Sequence, residues 1–278
     1  MFNKEQSMQA SDVKAAAKRA GADLCGIVSY DRFADLPPER NPLSISPRTR
    51  SVIVIAHRIL RGALRGVEES TNFVSVYDHF GIAAPGWKYL TMSLAELGAF
   101  VEDAGFEAVP LRAGHREADK VWVDYQEMAH LAGLGETGLG GFVLTPEYGQ
   151  RQRFAMLLTD AELEGDPIIN PGFCKGCDAC LQVCPNQAIS ADGKVDLEIC
   201  KTCQNGVYPS QGAIKEIAGV QGSDNTPDDP LDRHAAVCGR TCVVAFEKRI
   251  RNPFGTPFRK RKVWRLDRDG EYISEEKK

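Results

Sequence analysis

Four cysteines and a proline constrain this chain more than any other stretch of it. They stand in Cys174-Lys-Gly-Cys177-Asp-Ala-Cys180-Leu-Gln-Val-Cys184-Pro185. Gaps of two residues wrap the backbone so that three thiolates converge on one inorganic cube, with backbone N–H groups turned toward its sulfurs. The fourth cysteine is carried past by the next turn. This C-x-x-C-x-x-C-x-x-x-C-P spacing is that of a [4Fe–4S] site whose last cysteine serves a neighbouring cluster. Pro185 keeps the turn from continuing as a regular helix. Zinc is the competing use of paired C-x-x-C, but it needs only four ligands and has no use for the extended run.

A second set follows in Cys200-Lys-Thr-Cys203 and Cys238-Gly-Arg-Thr-Cys242, interrupted by residues 204–237, with Val243 in the place of the proline. Eight cysteines suffice for two clusters. The crossed pairing expected is Cys174, Cys177, Cys180 and Cys242 on one, with Cys184, Cys200, Cys203 and Cys238 on the other. Between the runs, Asn186-Gln-Ala-Ile-Ser, the turn Ala191-Asp-Gly and Lys194-Val-Asp-Leu read as a hairpin. Of the nine cysteines only Cys25 is left over. It lies inside the apolar run Leu24-Cys-Gly-Ile-Val, which suits a small buried hydrophobe.

Composition sets the remaining bounds. With 278 residues there is room for a domain plus a small module. A net charge of −4 argues against general nucleic-acid affinity. Thiolate clusters with one spare thiol suit a reducing cytosol rather than a disulfide framework. The opening Met1-Phe-Asn-Lys-Glu-Gln-Ser shows no apolar export signal and no twin arginine, and no apolar run reaches spanning length. A cytoplasmic protein without membrane contact is the expectation.

Upstream of the cysteines the pattern is mixed. A helix capped by Ser11 and ended by Gly21 precedes the strand at Leu24. Residues 31–50 read as a loop, and Ser51-Val-Ile-Val-Ile-Ala as a buried strand. Tyr77-Asp-His-Phe-Gly81 is not the Asp-x-His-x-x-Gly signature of histidine-donating cobalamin domains. A helix is expected from Trp87 to Ala104, and a strand at Glu107-Ala-Val-Pro-Leu. Residues 119–132 combine apolar residues at helical spacing with Asp119, Asp124, Glu127 and His130. Gly133-Leu-Gly135-Glu-Thr-Gly138 matches G-x-G-x-x-G, but a helix precedes it and glycines follow it, whereas the dinucleotide fingerprint must follow a strand and open a helix. These glycines either let backbone approach something flat or form a tight turn. Arg153-Phe-Ala-Met-Leu-Leu-Thr-Asp is a last strand. The elements together suggest an α+β core.

The block Ala132-Gly-Leu-Gly-Glu-Thr-Gly-Leu-Gly-Gly-Phe-Val-Leu-Thr-Pro-Glu-Tyr-Gly149, then Leu157-Leu-Thr-Asp160, then the cysteine run, resembles the epoxyqueuosine reductase and reductive dehalogenase superfamily. Ala20-Gly-Ala-Asp-Leu-Cys-Gly-Ile and the strand at Ser51 extend the likeness, which spans roughly residues 15–245. The resemblance implies a nitroreductase-like mixed α/β domain over 1–165 that holds cobalamin. A bacterial-ferredoxin-like 2[4Fe–4S] module over 166–247 follows, with the insertion 204–237, and then a basic tail over 248–278. It implies electrons passing from a low-potential donor such as ferredoxin or flavodoxin, through the clusters, to a corrinoid. Reductive removal of a substituent from a small molecule or nucleoside would follow, with a protein acid supplying the proton. Counting back fourteen residues from Gly133 places the reductase acid at Asp119; Asp124 and Tyr125 are in reserve, a tyrosine being the dehalogenase choice. The same alignment sets Gly133, Gly135, Val143, Phe154 and Leu157 against the corrin ring, although the apolar three also suit plain core.

Two features depart from the family. The end of the insertion is acidic, at Asp224, Asp228, Asp229 and Asp232, which suits a surface lid or partner contact. The helical-repeat extension of epoxyqueuosine reductases is replaced by nine basic residues between 248 and 268, with Phe258 and Trp264 among them. These suit either an RNA or phosphate ligand such as tRNA, or a tail packing across acidic surface. A cluster-only electron carrier and a flavin-dependent reductase on the same fold are the alternative functions.

Overall fold

The computed structural model describes residues 8–69, 72, 74–112, 120–200, 203, 236–249, 254, 258, 263–266 and 272–275. Asp119, nearly all of the insertion 204–237 and most of the basic tail, Trp264's side chain included, lie outside the described residues. The chain divides into two compact units.

The first unit comprises the described parts of Met1–Ile59, Ile82–Thr137 and Val143–Pro171. Its core is a four-stranded antiparallel sheet in the order β1 (Leu24–Ser29), β2 (Ser51–Arg58), β6 (Gln152–Thr159), β3 (Ala108–Arg112). Seven of the eight residues of β2 are buried, so both faces of the sheet are covered. Side chains alternate between the faces with period two. Ile53, Ile55 and Leu157 meet helices α1 (Ala10–Arg19) and α3 (Leu90–Asp103) through Val13, Ala17, Leu94 and Leu97. Val52, Val54, Phe154, Met156 and Leu158 meet Met128 and Ala129 of α4 (Tyr125–Leu131), together with Val143.

The elements fall close to their expected positions, with two local corrections. Helix α1 is entered at Gln9, whose N–H donates to Asp12 Oδ2 at 3.1 Å, so Ser11 lies inside the helix rather than capping it. The α-helix expected from Trp87 begins at Leu90, because Val74–Tyr89 has wider π-type turns that take in Pro85. A proline cannot donate to a regular ladder. The G-x-G-x-x-G stretch follows α4 and leads into a hairpin of β4 (Glu136–Thr137) and β5 (Val143–Leu144), as the strand-before-helix requirement had indicated.

The second unit gathers the described parts of Leu60–Gly81, Gly138–Phe142 and Gly172–Lys278. It therefore takes two excursions from the block 1–165 that the sequence reads as one domain. Helix α2 (Arg61–Glu68) is tied to α7 (Val237–Glu247) by two ion pairs. Arg61 reaches both carboxylate oxygens of Glu247, at 2.7 and 3.1 Å, and stacks 4.0 Å from the Phe258 ring centroid; Arg240 reaches Glu68 at 3.0 Å. Helix α5 (Ala179–Val183) packs on α7. The expected link hairpin is present as the bridge Ile189–Val195, after which α6 (Leu197–Cys200) begins. Within the basic tail, β7 (Val263–Leu266) and β8 (Tyr272–Glu275) pair antiparallel, an element that the sequence reading did not anticipate. Among the described residues no helix is long and apolar enough to cross a membrane.

Candidate metal centres

Two short helices carry half of the cluster cysteines. Cys180 lies on α5 and Cys184 caps its end; Cys238 and Cys242 lie on α7. In each helix the two thiols are four residues apart, which is about 6 Å along the axis. Each helix thus offers one thiol to each of two neighbouring sites.

Electrostatics show how the thiols group. Burial pushes the Cys242 thiol up to about 12, and Cys174, Cys180 and Cys177 add to it, with Cys238 the weakest contributor. Burial likewise pushes Cys238 up to about 12, reinforced by Cys184, Cys200 and Cys203. Cys180 is raised by burial and then by Cys174 and Cys177, and Cys200 by burial and then by Cys203 and Cys184. The neighbours divide as 174, 177, 180 and 242 against 184, 200, 203 and 238, the crossed arrangement expected from spacing. Among the described residues no three histidine, cysteine or acidic side chains converge on a single ion-sized point. In a cubane each thiolate binds a different iron, so its ligands need not converge in that way. Eight thiols in two looser sets of four fit two [4Fe–4S] clusters.

The surroundings complete the sites. Arg249 donates to the carbonyls of Phe173, Lys175 and Gly176 at 2.7, 3.0 and 3.1 Å and so holds the first cysteine loop. The Ala188 N–H donates to Cys184 Sγ at 3.3 Å. The tip of the β4–β5 hairpin supplies a further donor, from Leu139 N–H to Cys174 Sγ at 3.4 Å. Neither Arg249 nor Leu139 was singled out from sequence. A basic tail gives no hint of a carbonyl clamp, and a backbone donor carries no side-chain signal at all.

The other expected site residues lie in the first unit. Asp124 caps α4, accepting from the N–H groups of Gln126 and Glu127 at 2.8 and 3.2 Å. Glu127 pairs with Arg40, and His130 Nδ1 bonds the Gly135 carbonyl at 2.8 Å. Tyr125 opens α4, half-buried, with its ring edge-on to Trp122 at 6.4 Å. A Cβ on Gly133 would stand 2.3 Å from the Pro167 carbonyl oxygen, and one on Gly135 2.3 Å from that of Leu144. These glycines accommodate the chain's own backbone, the tight-turn alternative. Val143 and Phe154 are buried together on one face of the sheet, whereas Leu157 is fully buried on the other. Of the five residues aligned with a corrin ring, Leu157 thus lies on the face of the sheet away from Val143 and Phe154.

Comparison with known proteins gives matches of two kinds. Residues 167–190 match the family described as 4Fe-4S binding domain. Tetrachloroethene reductive dehalogenase of Desulfitobacterium hafniense is 36% identical over 199 residues, covering 69% of this chain and 33% of that protein. Epoxyqueuosine reductase of Gloeobacter violaceus is 29% identical over 194 residues, covering 69% of this chain and 57% of its own. Among solved structures, a catabolic reductive dehalogenase has a TM-score of 0.58 at 20% identity, over 90% of this chain and 38% of that one. A selenomethionine-labelled epoxyqueuosine reductase has a TM-score of 0.55 at 18% identity, over 86% and 65%. At such identities the structures show a shared fold. The chain spans less than two thirds of the length of either curated relative.

Proposed function

We propose that this chain is an iron–sulfur reductase of the superfamily that holds the epoxyqueuosine reductases and the reductive dehalogenases, a reading that its likeness to both and its 4Fe-4S binding domain support. In this reading it passes electrons through two [4Fe–4S] clusters to a bound corrinoid, for reductive removal of a substituent from a small molecule or nucleoside. The observation that carries the reading is the pair of four-thiol sets shared between α5 and α7. When bound, the clusters supply one-electron carriage. The protein's part is to hold them with Cys174, Cys177, Cys180 and Cys242, and with Cys184, Cys200, Cys203 and Cys238. The two helices fix the interval between the sets, and burial limits their contact with water.

The corrinoid and the substrate rest on kinship. One structural neighbour is described in terms of B12-dependent dehalogenation, and another holds an epoxyqueuosine-modified tRNA stem loop. A low-potential donor such as ferredoxin or flavodoxin would feed the clusters, in the cytoplasm, where thiolate ligands stay reduced. Asp119 is proposed as the proton donor, with Tyr125 as the alternative. Asp124 is less suited, since its carboxylate already accepts two N–H bonds in the cap of α4.

The filled spaces beside Gly133 and Gly135 favour one second reading, a cluster-only electron carrier. Visible spectroscopy of anaerobically reconstituted protein titrated with cobalamin separates the two. The reductase reading expects a bound spectrum with the lower base displaced, since no histidine motif is present to replace it. Absence of cobalamin binding removes the corrinoid and leaves the cluster-only reading, with a flavin titration to exclude the third.

A further inference from the structure

We propose that the β4–β5 hairpin tip, Gly138–Phe142, sets the reduction potential of the cluster held by Cys174, Cys177, Cys180 and Cys242. It does so through the Leu139 N–H that donates to Cys174 Sγ at 3.4 Å. The proposal rests on the two-cluster reading. Reduction adds one electron to a cluster, and the extra negative charge spreads onto its thiolates. An N–H dipole aimed at a ligand sulfur stabilises the reduced form more than the oxidised form and so raises the potential.

The tip is built to hold that donor in place. The Gly138 N–H donates to the Phe142 carbonyl at 2.8 Å, and the Gly141 N–H to the Gly138 carbonyl at 2.9 Å. A Cβ on Gly140 would stand 2.9 Å from Phe142 Cε2 and 3.5 Å from Cys180 Sγ, so only glycine lets the tip lie this close to the thiols without displacing the ring. A Cβ on Gly141 would come within 3.2 Å of Val195 Cγ2 in the link hairpin. The other set has a local donor, Ala188, four residues after Cys184. The donor to Cys174 comes instead from 35 residues upstream, outside the cysteine run. Cys180 also has backbone donors within its own run, at Cys180 and Leu181, and Leu139 adds one from outside that run.

EPR-monitored potentiometric titration of the reconstituted full chain tests this, with iron counted on every sample. Leu139→Pro removes the donor. The midpoint of the signal abolished by Cys174→Ala should move to lower potential, while the signal abolished by Cys200→Ala stays in place. An unmoved midpoint at full iron, or equal shifts in both signals, overturns the proposal. If Leu139→Pro loses iron, Gly141→Ala decides. Gly141 has φ +75°, which a residue with a Cβ rarely adopts, so the substitution strains the backbone that holds the Leu139 N–H; the same selective fall at full iron supports the proposal and an unmoved midpoint refutes it. Fewer than about eight irons in the unaltered chain would count against the two-cluster reading and not against the hairpin.

Discussion

Strand β2 and helix α7 are each the central element of their unit, and they bury different chemistry. The seven buried residues of β2 run Ser51-Val-Ile-Val-Ile-Ala-His57, and most of them are apolar. Each large apolar side chain so buried contributes about 1.5–3 kcal/mol. Helix α7 buries Val237, Gly239, Arg240, Val243 and Phe246, and it carries Cys238 and Cys242 toward the two thiol sets. Its hold on α2 comes from ion pairs, which contribute little net stability once desolvation is counted. The sheet unit can fold on apolar burial. Among the described residues the thiol unit buries fewer large apolar side chains, and iron–thiolate bonds would add to its stability, because binding that needs a formed site is itself folding free energy.

Removing the iron should break this comparison most visibly. In chelated, reduced protein, amide hydrogen exchange should show α5 and α7 losing protection while β2 and β6 keep theirs. Equal protection of α7 and β6 in the apo chain would contradict the division. The next largest effect concerns the acid assigned to the sheet unit. Asp119→Asn should lower turnover by roughly 10²–10⁴-fold, the range for general acid catalysis, with iron content unchanged. Full activity in that variant would turn attention to Tyr125.

Paired substitutions sharpen the contrast further. Leu157→Ala leaves a cavity in a fully buried site and should cost about 2–5 kcal/mol, seen as a lower unfolding midpoint of the sheet unit at undiminished iron. Arg61→Ala leaves the Glu247 carboxylate without its bidentate partner, a loss of about 3–5 kcal/mol for a buried pair, and iron should then leave faster. Iron loss as rapid in Leu157→Ala as in Arg61→Ala would show that the units do not divide the work in this way.

The two regions were unequally legible in sequence. The strands at Leu24, Ser51 and Arg153 follow from apolar runs bounded by turns, and period two assigns their faces. The same rule puts Phe154 and Leu157 on opposite faces of β6. The crossed thiol sets are an expectation drawn from cysteine spacing, which follows cluster geometry. Tertiary partners were not legible. Nothing local in Arg61-Gly-Ala-Leu says that this helix joins the thiol unit, and the glycines at 138–141 signalled a turn without saying what it touches.

Cys25 gives the smallest effect. The residue is partly buried, but burial pushes its thiol from 9.0 to about 12. The folded chain keeps that proton where the unfolded chain has lost it. The resulting stability is full below pH 9 and falls away between pH 9 and 12. Chemical denaturation of the parent and Cys25→Ala across that window should show the parent losing a contribution that the variant lacks, and iron content should be equal in both. Loss of iron in Cys25→Ala would mean that the ligand sets are misassigned.

The crossed pairing of thiols is the centre of this account, and the EPR spectrum of reduced Cys184→Ala tests it most directly. Cys184 stands in the first run by sequence yet lies with Cys200, Cys203 and Cys238 in space. The substitution should perturb the signal that Cys200→Ala perturbs and leave the other untouched. Perturbation of the signal lost in Cys174→Ala would contradict the crossed sets.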